Sequence, residues 1–328
     1  MDVSILTPRR PISHVRNLMT ASRIHRYGPP GVIDLDVVER PHPAEGEVLV
    51  RVKAAGVSLL DAWIRAGRIS PSAPLPLTLG SELAGVVAAV GPGVANFTPG
   101  DAVFGVSNPG FTGACAEYAV ASTAMIAKQP GRLDFIDAAS IPVVAVSAWQ
   151  ALFDHADLAA GQSVLIRGAA SNIGAFAVQL AARAGLRVIA TADDGDTAYV
   201  RGLGASVVIN ARSPRFEEAA RDVDAVVDLV GGGAGRRSFS LLKRGGVLVS
   251  TVSAPDQEEA ARYGVRALFF VAEVTTARLA RIAAMIDAGE LSTHIGAVLA
   301  LAGVRVAHEM MEGARPHPRG KIVLRIGT

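Results

Sequence analysis

Apolar residues along this chain follow two different rhythms, and the change between them divides it. From Val48 to Phe104 short β-branched runs, "EVLVRVKAAGV", "AGVVAAVG" and "DAVFGV", are broken by Gly and Pro. That punctuation predicts an antiparallel, β-rich module with tight turns, and "GPGVANFTPGDAVFG" is almost wholly turn chemistry between two strands. "IPVVAVSAWQALFDH" then reads as a helix joining two regions. Beyond it, apolar runs recur roughly every twenty residues with helical stretches between. They are "VLIRGA" from Val164, "RVIATA" from Arg187, "SVVIN" from Ser206, "AVVDLV" from Ala225, "GVLVST" from Gly246 and "ALFFVA" from Ala267. Unbroken rather than alternating apolarity predicts strands covered on both faces, as in a parallel sheet between helix layers. Six such strands make a doubly wound α/β domain the expected fold. The tail from about Leu291 returns to short strand and helix patterns and is expected to rejoin the first module.

The stretch "VLIRGAASNIGAFAVQLAARAG" runs strand, tight loop, helix. Ile173, Phe176, Leu180 and Ala184 share one helical face, so the helix starts near Ser171 or Asn172, either of which can cap it. A helix opening straight after a strand turns free N–H groups and a positive dipole end towards the loop, which suits a pyrophosphate. Against the Gly-x-Gly-x-x-Gly pattern the chain has Ala169, Ser171 and Gly174, so only the glycine that lets helix and strand approach closely remains. Ala170, Ser171, Asn172, Ile173 and Gly174 are the candidate phosphate contacts; a plain strand-to-helix turn is the competing reading. The second strand ends "IATADD", with Ala192 at the ribose position and Asp193 and Asp194 after it. No basic residue follows until Arg201 and then Arg212. An acid there binds a ribose 2′-hydroxyl and repels a 2′-phosphate, so local charge favours NAD(H). The same aspartates can equally cap the next helix.

Length and charge narrow the class. The 328 residues suit two domains. A net charge of +2, from 32 basic residues scattered among 30 acidic ones, offers no face for nucleic acid. The single cysteine, Cys115, excludes an internal disulfide and a multi-cysteine zinc site, and fits a reducing compartment. Uncharged runs such as 138–153 contain Pro or Gly and are too short to span a bilayer. Residues 1–18 lack the apolar core of a secretory signal and read as a loose extension before Met19. A cytoplasmic protein is expected.

Six segments, "GEVLVRVKAAGVSLLDAWIRAG", "LGSELAGVVAAVGPGV", "GDAVFG", "AWQALFDH", "GAASNIGAFAVQLA" and "RGKIVLR", occur in an order that resembles the medium-chain dehydrogenase/reductase superfamily. The chain is most similar to the zinc-independent quinone oxidoreductase branch, from about Arg23 onwards. This implies a β-rich GroES-like catalytic domain from 19–143 and 287–328, a Rossmann domain over 144–286, and an active site in the cleft. It also implies that Ser58 and Ser81 stand where zinc-dependent relatives carry cysteine and histidine ligands. Hydroxyls are poor zinc ligands, so no metal is expected. Glu82, inside "PLTLGSELAG", is then expected to be architectural, held by backbone or by a basic residue at the cleft floor.

Without a Lewis acid, a reductase relies on hydrogen bonds and on acceptors that are already activated, such as quinones and enones. The resemblance implies Tyr27, Ser58, Asp61 and Trp63 as candidate catalytic or cleft residues, with Asn108 and Phe111 as a substrate lip. Each has a plainer reading: Tyr27 as packing, Asp61 as a turn or salt-bridge residue, Trp63 as a wall. For the cofactor it implies Ser147, the strand ends Val230, Gly231, Thr251, Val252 and Ser253, and backbone groups of Phe269, Phe270 and Val271. It favours NADP(H) narrowly over NAD(H), with Arg212 as the phosphate partner. The expected function is hydride transfer from NAD(P)H to quinones or other activated carbonyl and enone acceptors. The alternatives are a pathway-specific enoyl or alkenal reductase, and a low-turnover NADPH-binding structural or regulatory protein. The apolar strand in "VRALFFVA", placed at a sheet edge, predicts a homodimer.

Overall fold

The computed structural model describes residues 17–69, 74–213, 220–232 and 237–327. The expected extension falls outside them for residues 1–16, and Leu18 already belongs to the first strand. That strand, β1 (Leu18–Ile24), pairs antiparallel with β2 (Ile33–Glu39). β3 (Glu47–Val57) leads into helix α1 (Leu59–Arg65). After β4 (Leu77–Thr78) come β5 (Glu82–Val90), β6 (Ala102–Val106), β7 (Tyr118–Ser122) and β8 (Ile126–Lys128). Helices α2 (Phe135–Ala139) and α3 (Pro142–Trp149) close this part. The single helix expected here changes character at Gln150, continuing as a π-helical segment to His155. There the Gln150 side chain accepts a hydrogen bond from the Glu273 N–H at 2.9 Å.

The second module is β9 (Ser163–Arg167), α4 (Asn172–Arg183), β10 (Arg187–Ala192), α5 (Thr197–Gly202), β11 (Val207–Asn210), β12 (Val223–Asp228), β13 (Leu242–Ser250), α6 (Gln257–Tyr263) and β14 (Arg266–Phe269). Its six strands are all parallel, in the order β11-β10-β9-β12-β13-β14. The order reverses between β9 and β12, which opens a crevice at the carboxyl ends of the strands. Both faces are covered, as the unbroken apolar runs require: Val164, Ile166, Val188 and Ala190 belong to one core, Leu165, Ile189 and Val226 to another.

The chain then returns through α7 (Thr276–Asp287), β15 (Ile295–Ala300), α8 (Val304–Met311) and β16 (Lys321–Arg325). The last strand joins a seven-stranded sheet, β15-β16-β3-β5-β6-β8 with β7 on β3. Register decides what meets at its end. β16 runs antiparallel to β3 with Ile322 opposite Val57, and β3 runs antiparallel to β5 with Gly56 opposite Glu82. Lys321, Ser58, Ser81 and Glu82 therefore leave three different strands at one end of one sheet.

Behind this end, α1 and α8 bury a second charged group. Arg65 is fully buried and pairs with Glu312. Beside it His308 is 1% exposed, and neither ring nitrogen has a hydrogen-bond partner among the described residues. Burial, helped by the Arg65 charge, pushes the His308 pKa down to about 3. As pH falls below roughly 6.5, the unfolded chain takes up a proton that the folded imidazole refuses, so this contribution is full above that pH and is lost towards 3. Asp61, raised to about 6, works in the opposite sense over the upper part of the same window. Replacing His308→Leu is expected to shrink the loss of folding stability between pH values of about 7.5 and about 5 by roughly 2 kcal/mol, read from urea midpoints. An unchanged pH dependence contradicts this.

Candidate active site

The cleft is built from the residue that stops β3. Ser58 caps α1: its Oγ accepts from the Asp61 N–H at 3.4 Å, and Asp61 Oδ2 accepts from the Ser58 N–H at 2.7 Å. Asp61 Oδ2 also lies 2.7 Å from Ser58 Oγ. Asp61 is 1% exposed, and burial pushes its pKa up to about 6; the Ser58 hydrogen bonds oppose the rise, the Glu82 charge adds to it and the Lys321 charge opposes it. Ser58 and Trp63 line a cavity of about 260 Å³, with Asp61 behind its wall. Phe111 joins them from a loop in which it adopts φ 55°. Asn108 ties that loop down, donating to the Thr112 carbonyl at 2.6 Å and accepting from the Gly110 N–H at 2.9 Å. Tyr27 is not among the lining residues; its ring packs against Gly67, where an added Cβ would meet it at 3.1 Å.

At the cavity floor Glu82 is fully buried. Its Oε1 accepts the Val143 N–H at 2.9 Å, and Oε2 forms an ion pair with Lys321 Nζ. Both contacts anticipated for it are therefore made. The pair lies over Gly56, where a Cβ would sit 2.9 Å from Glu82 Oε2 and 3.1 Å from Lys321 Cε. This donor set does not fit zinc. Both Glu82 oxygens are engaged, one of them already by a cation, and the neighbouring positions are hydroxyls. Ser81 is fully buried, and its Oγ has no partner among the described residues. The Cys115 thiol is buried, and burial first, then the Asp61 charge, pushes its pKa well up. Among the described residues no three of His, Cys, Asp and Glu gather to hold a metal.

The dinucleotide elements fit better. Ser171 caps α4 by accepting the Gly174 N–H at 3.1 Å. A Cβ on Gly174 would land on the carbonyl oxygen of Gly168, so the glycine serves close helix–strand approach. Ser171, Asn172 and Ile173 line the main cavity; Ser147, Thr251 and Val252 line it too, as do Phe269, Phe270 and Val271. A second cavity, of about 500 Å³, is bordered by Ala170, Ser171, Ala192, Asp193, Val230 and Gly231. The two cavities share Ser171, which places the free N–H end of α4 between them. Ser253 lies outside both, bordering a smaller pocket with Gly231; its N–H and that of Val252 each donate to Ser250 Oγ at 3.3 Å. Arg212 is exposed and held by Asp193 at 3.2 Å.

Three functional groups escaped the sequence reading. Asp228 Oδ1 accepts from the N–H groups of Val230 and Gly231 at 3.1 and 3.0 Å, and Arg167 Nη1 donates to it at 2.7 Å. This buried pair fixes the turn after β12. Lys321 is the third, and among the described residues the one charged side chain lining the main cavity. The available signal was a charge inside an apolar strand, as in "VLIRGA", "AVVDLV" and "GKIVL".

Residues 44–131 match the alcohol dehydrogenase GroES-like domain family and residues 203–324 the zinc-binding dehydrogenase family. Human quinone oxidoreductase is 31% identical over 312 residues, covering 90% of this chain and 94% of that protein. The Lama guanicoe quinone oxidoreductase is 32% identical over 327 residues, covering 94% and 98%. The solved structure of the quinone oxidoreductase from Coxiella burnetii superposes with a TM-score of 0.88 at 31% identity, covering 94% of this chain and all of that one. Sheet order, family models and relatives agree: the chain belongs to the medium-chain dehydrogenase/reductase superfamily, in its quinone oxidoreductase branch, and is an oxidoreductase.

Proposed function

We propose that this protein is an NADPH-dependent reductase of quinones and enones that works without a metal. The observation that carries this reading is the main cavity itself, which runs from the phosphate loop to the Glu82–Lys321 pair and is walled mostly by apolar side chains. A bound nicotinamide supplies the hydride. Trp63, Phe111 and Phe270 offer flat apolar walls that suit a planar conjugated acceptor and keep water out. The Ser58–Asp61 pair controls a proton. Where Asp61 is protonated it can donate to Ser58 Oγ, freeing the hydroxyl hydrogen for an oxygen in the cavity; where it is ionised it claims that hydrogen. Glu82, Lys321 and Cys115 are the other titratable groups in its field.

The adenosine end supports NADP(H). Asp193 alone would repel a 2′-phosphate, but Arg212 already sits on it, in an ion pair exposed enough to exchange partners easily. Asp196, which borders the same cavity, is likewise held, by Arg319 at 2.7 Å. The same reading includes a homodimer: among the described residues β14 has a neighbour on one side only, and Phe269 is 40% exposed on it, a surface that a second copy would cover. No helix among the described residues is long and apolar enough to cross a membrane.

Steady-state assays with ortho-quinones and enones are expected to show NADPH oxidation with a higher kcat/KM than NADH gives. Arg212→Ala is expected to remove that preference, and Ser58→Ala to lower kcat roughly a hundredfold. Tight NADPH binding without oxidation by any acceptor would instead identify a low-turnover binding protein. Sedimentation velocity at micromolar concentration is expected to give a dimer; a monomer counts against the β14 pairing.

A further inference from the structure

The roles assigned so far leave unused the one charged side chain that lines the main cavity among the described residues. Lys321 opens β16 and is 2% exposed, yet it borders both the main cavity and a smaller one beside α4. An ammonium carries three N–H donors. The single partner that Lys321 Nζ has among the described residues is Glu82 Oε2. Glu82 is itself held from its other oxygen by the Val143 N–H at 2.9 Å, so its carboxylate is anchored to the floor. The Lys321 stem is confined over Gly56. Two donors are thus left over on a side chain that borders a mostly apolar space, where a charge is weakly screened.

We propose that Lys321 is the electrophilic residue of this cleft, donating a hydrogen bond to the acceptor oxygen as negative charge develops on it. The inference rests on the reductase reading above. Hydride addition to an enone β-carbon or to a quinone brings two electrons and oxidises the nicotinamide. The displaced π pair becomes charge on the acceptor oxygen, giving an enolate or a hydroquinone anion, and one proton, from Ser58 or from water, completes the product. The Glu82–Lys321 pair is neutral as a unit, so its ammonium end can receive this charge without leaving an uncompensated cation in the resting cleft. A lysine that serves only as counter-ion to Glu82 would make no such contact.

Two variants and one ligand separate these roles. Lys321→Met is expected to lower kcat for quinones and enones roughly a hundredfold or more while leaving KM for NADPH unchanged. Should Lys321→Met alone fail to fold, the double variant Glu82→Gln/Lys321→Met removes both charges together, leaves no unpaired buried ion, and is expected to show the same loss. Retention of wild-type kcat in either folded variant overturns the proposal. Independently of turnover, the protein without cofactor is titrated with p-nitrophenol at a pH where the free phenol is mostly protonated. The wild type is expected to bind it as the yellow phenolate and the double variant as the neutral phenol. Neutral binding by the wild type, no saturable binding by it, or ionisation by both proteins overturns the proposal. Absence of any NAD(P)H oxidation by the wild type would sink the reductase reading alone, and the nitrophenol titration would still decide the role of Lys321.

Discussion

A charge taken out of water needs an opposite charge beside it, and Glu82 and Lys321 meet that requirement for each other from positions 239 residues apart. Removing one partner from such a buried pair typically costs about 3–5 kcal/mol, because the other is left stranded. The pair therefore does more than decorate the cleft floor. It ties the last strand of the chain to the start of β5, across the glycine at position 56 that leaves room for it. With β16 held there, the Glu82 carboxylate lies between Lys321 at the start of β16 and the Val143 N–H at the start of α3.

The rest of the site follows from what this floor lacks. Two hydroxyls and a carboxylate already paired with an ammonium make a poor nest for a divalent ion. A fixed cation in a mostly apolar cleft favours substrates whose reduction gathers charge on an oxygen, since the field is strong where water is scarce. At the other end of the cavity, the start of α4 turns its backbone N–H groups towards the same space. Aromatic walls between these two polar ends leave space for flat acceptors. Strand ends and helix caps set most of these groups, and the Asn108-tied loop adds Phe111.

Much of this was legible before any coordinates. The six parallel strands announced themselves because both faces are buried, so apolar residues run without alternation, and the capped strand-to-helix turn because Ser171 precedes one clear helical face. Ser58 and Trp63 were found through a motif, and the capping box explains why Asp61 travels with Ser58. What stayed hidden was whatever depends on long-range register. Lys321 lies inside the quoted segment "RGKIVLR", yet only the pairing of β16 with β3 brings it to Glu82. Arg167 and Asp228 belong to different strands and meet only when β9 and β12 become neighbours. Tyr27 shows the converse: a sequence position close to a family motif does not bring its ring to the cavity, because Gly67 offers a nearer surface.

The central claim is that the cation at the end of the seven-stranded sheet is Lys321 and no metal ion. Elemental analysis of freshly purified, catalytically active protein, with turnover followed before and after exhaustive dialysis against a chelator, tests it most directly. The account predicts substoichiometric zinc and unchanged turnover. One zinc per chain, with activity lost to the chelator and restored by zinc alone, would contradict it.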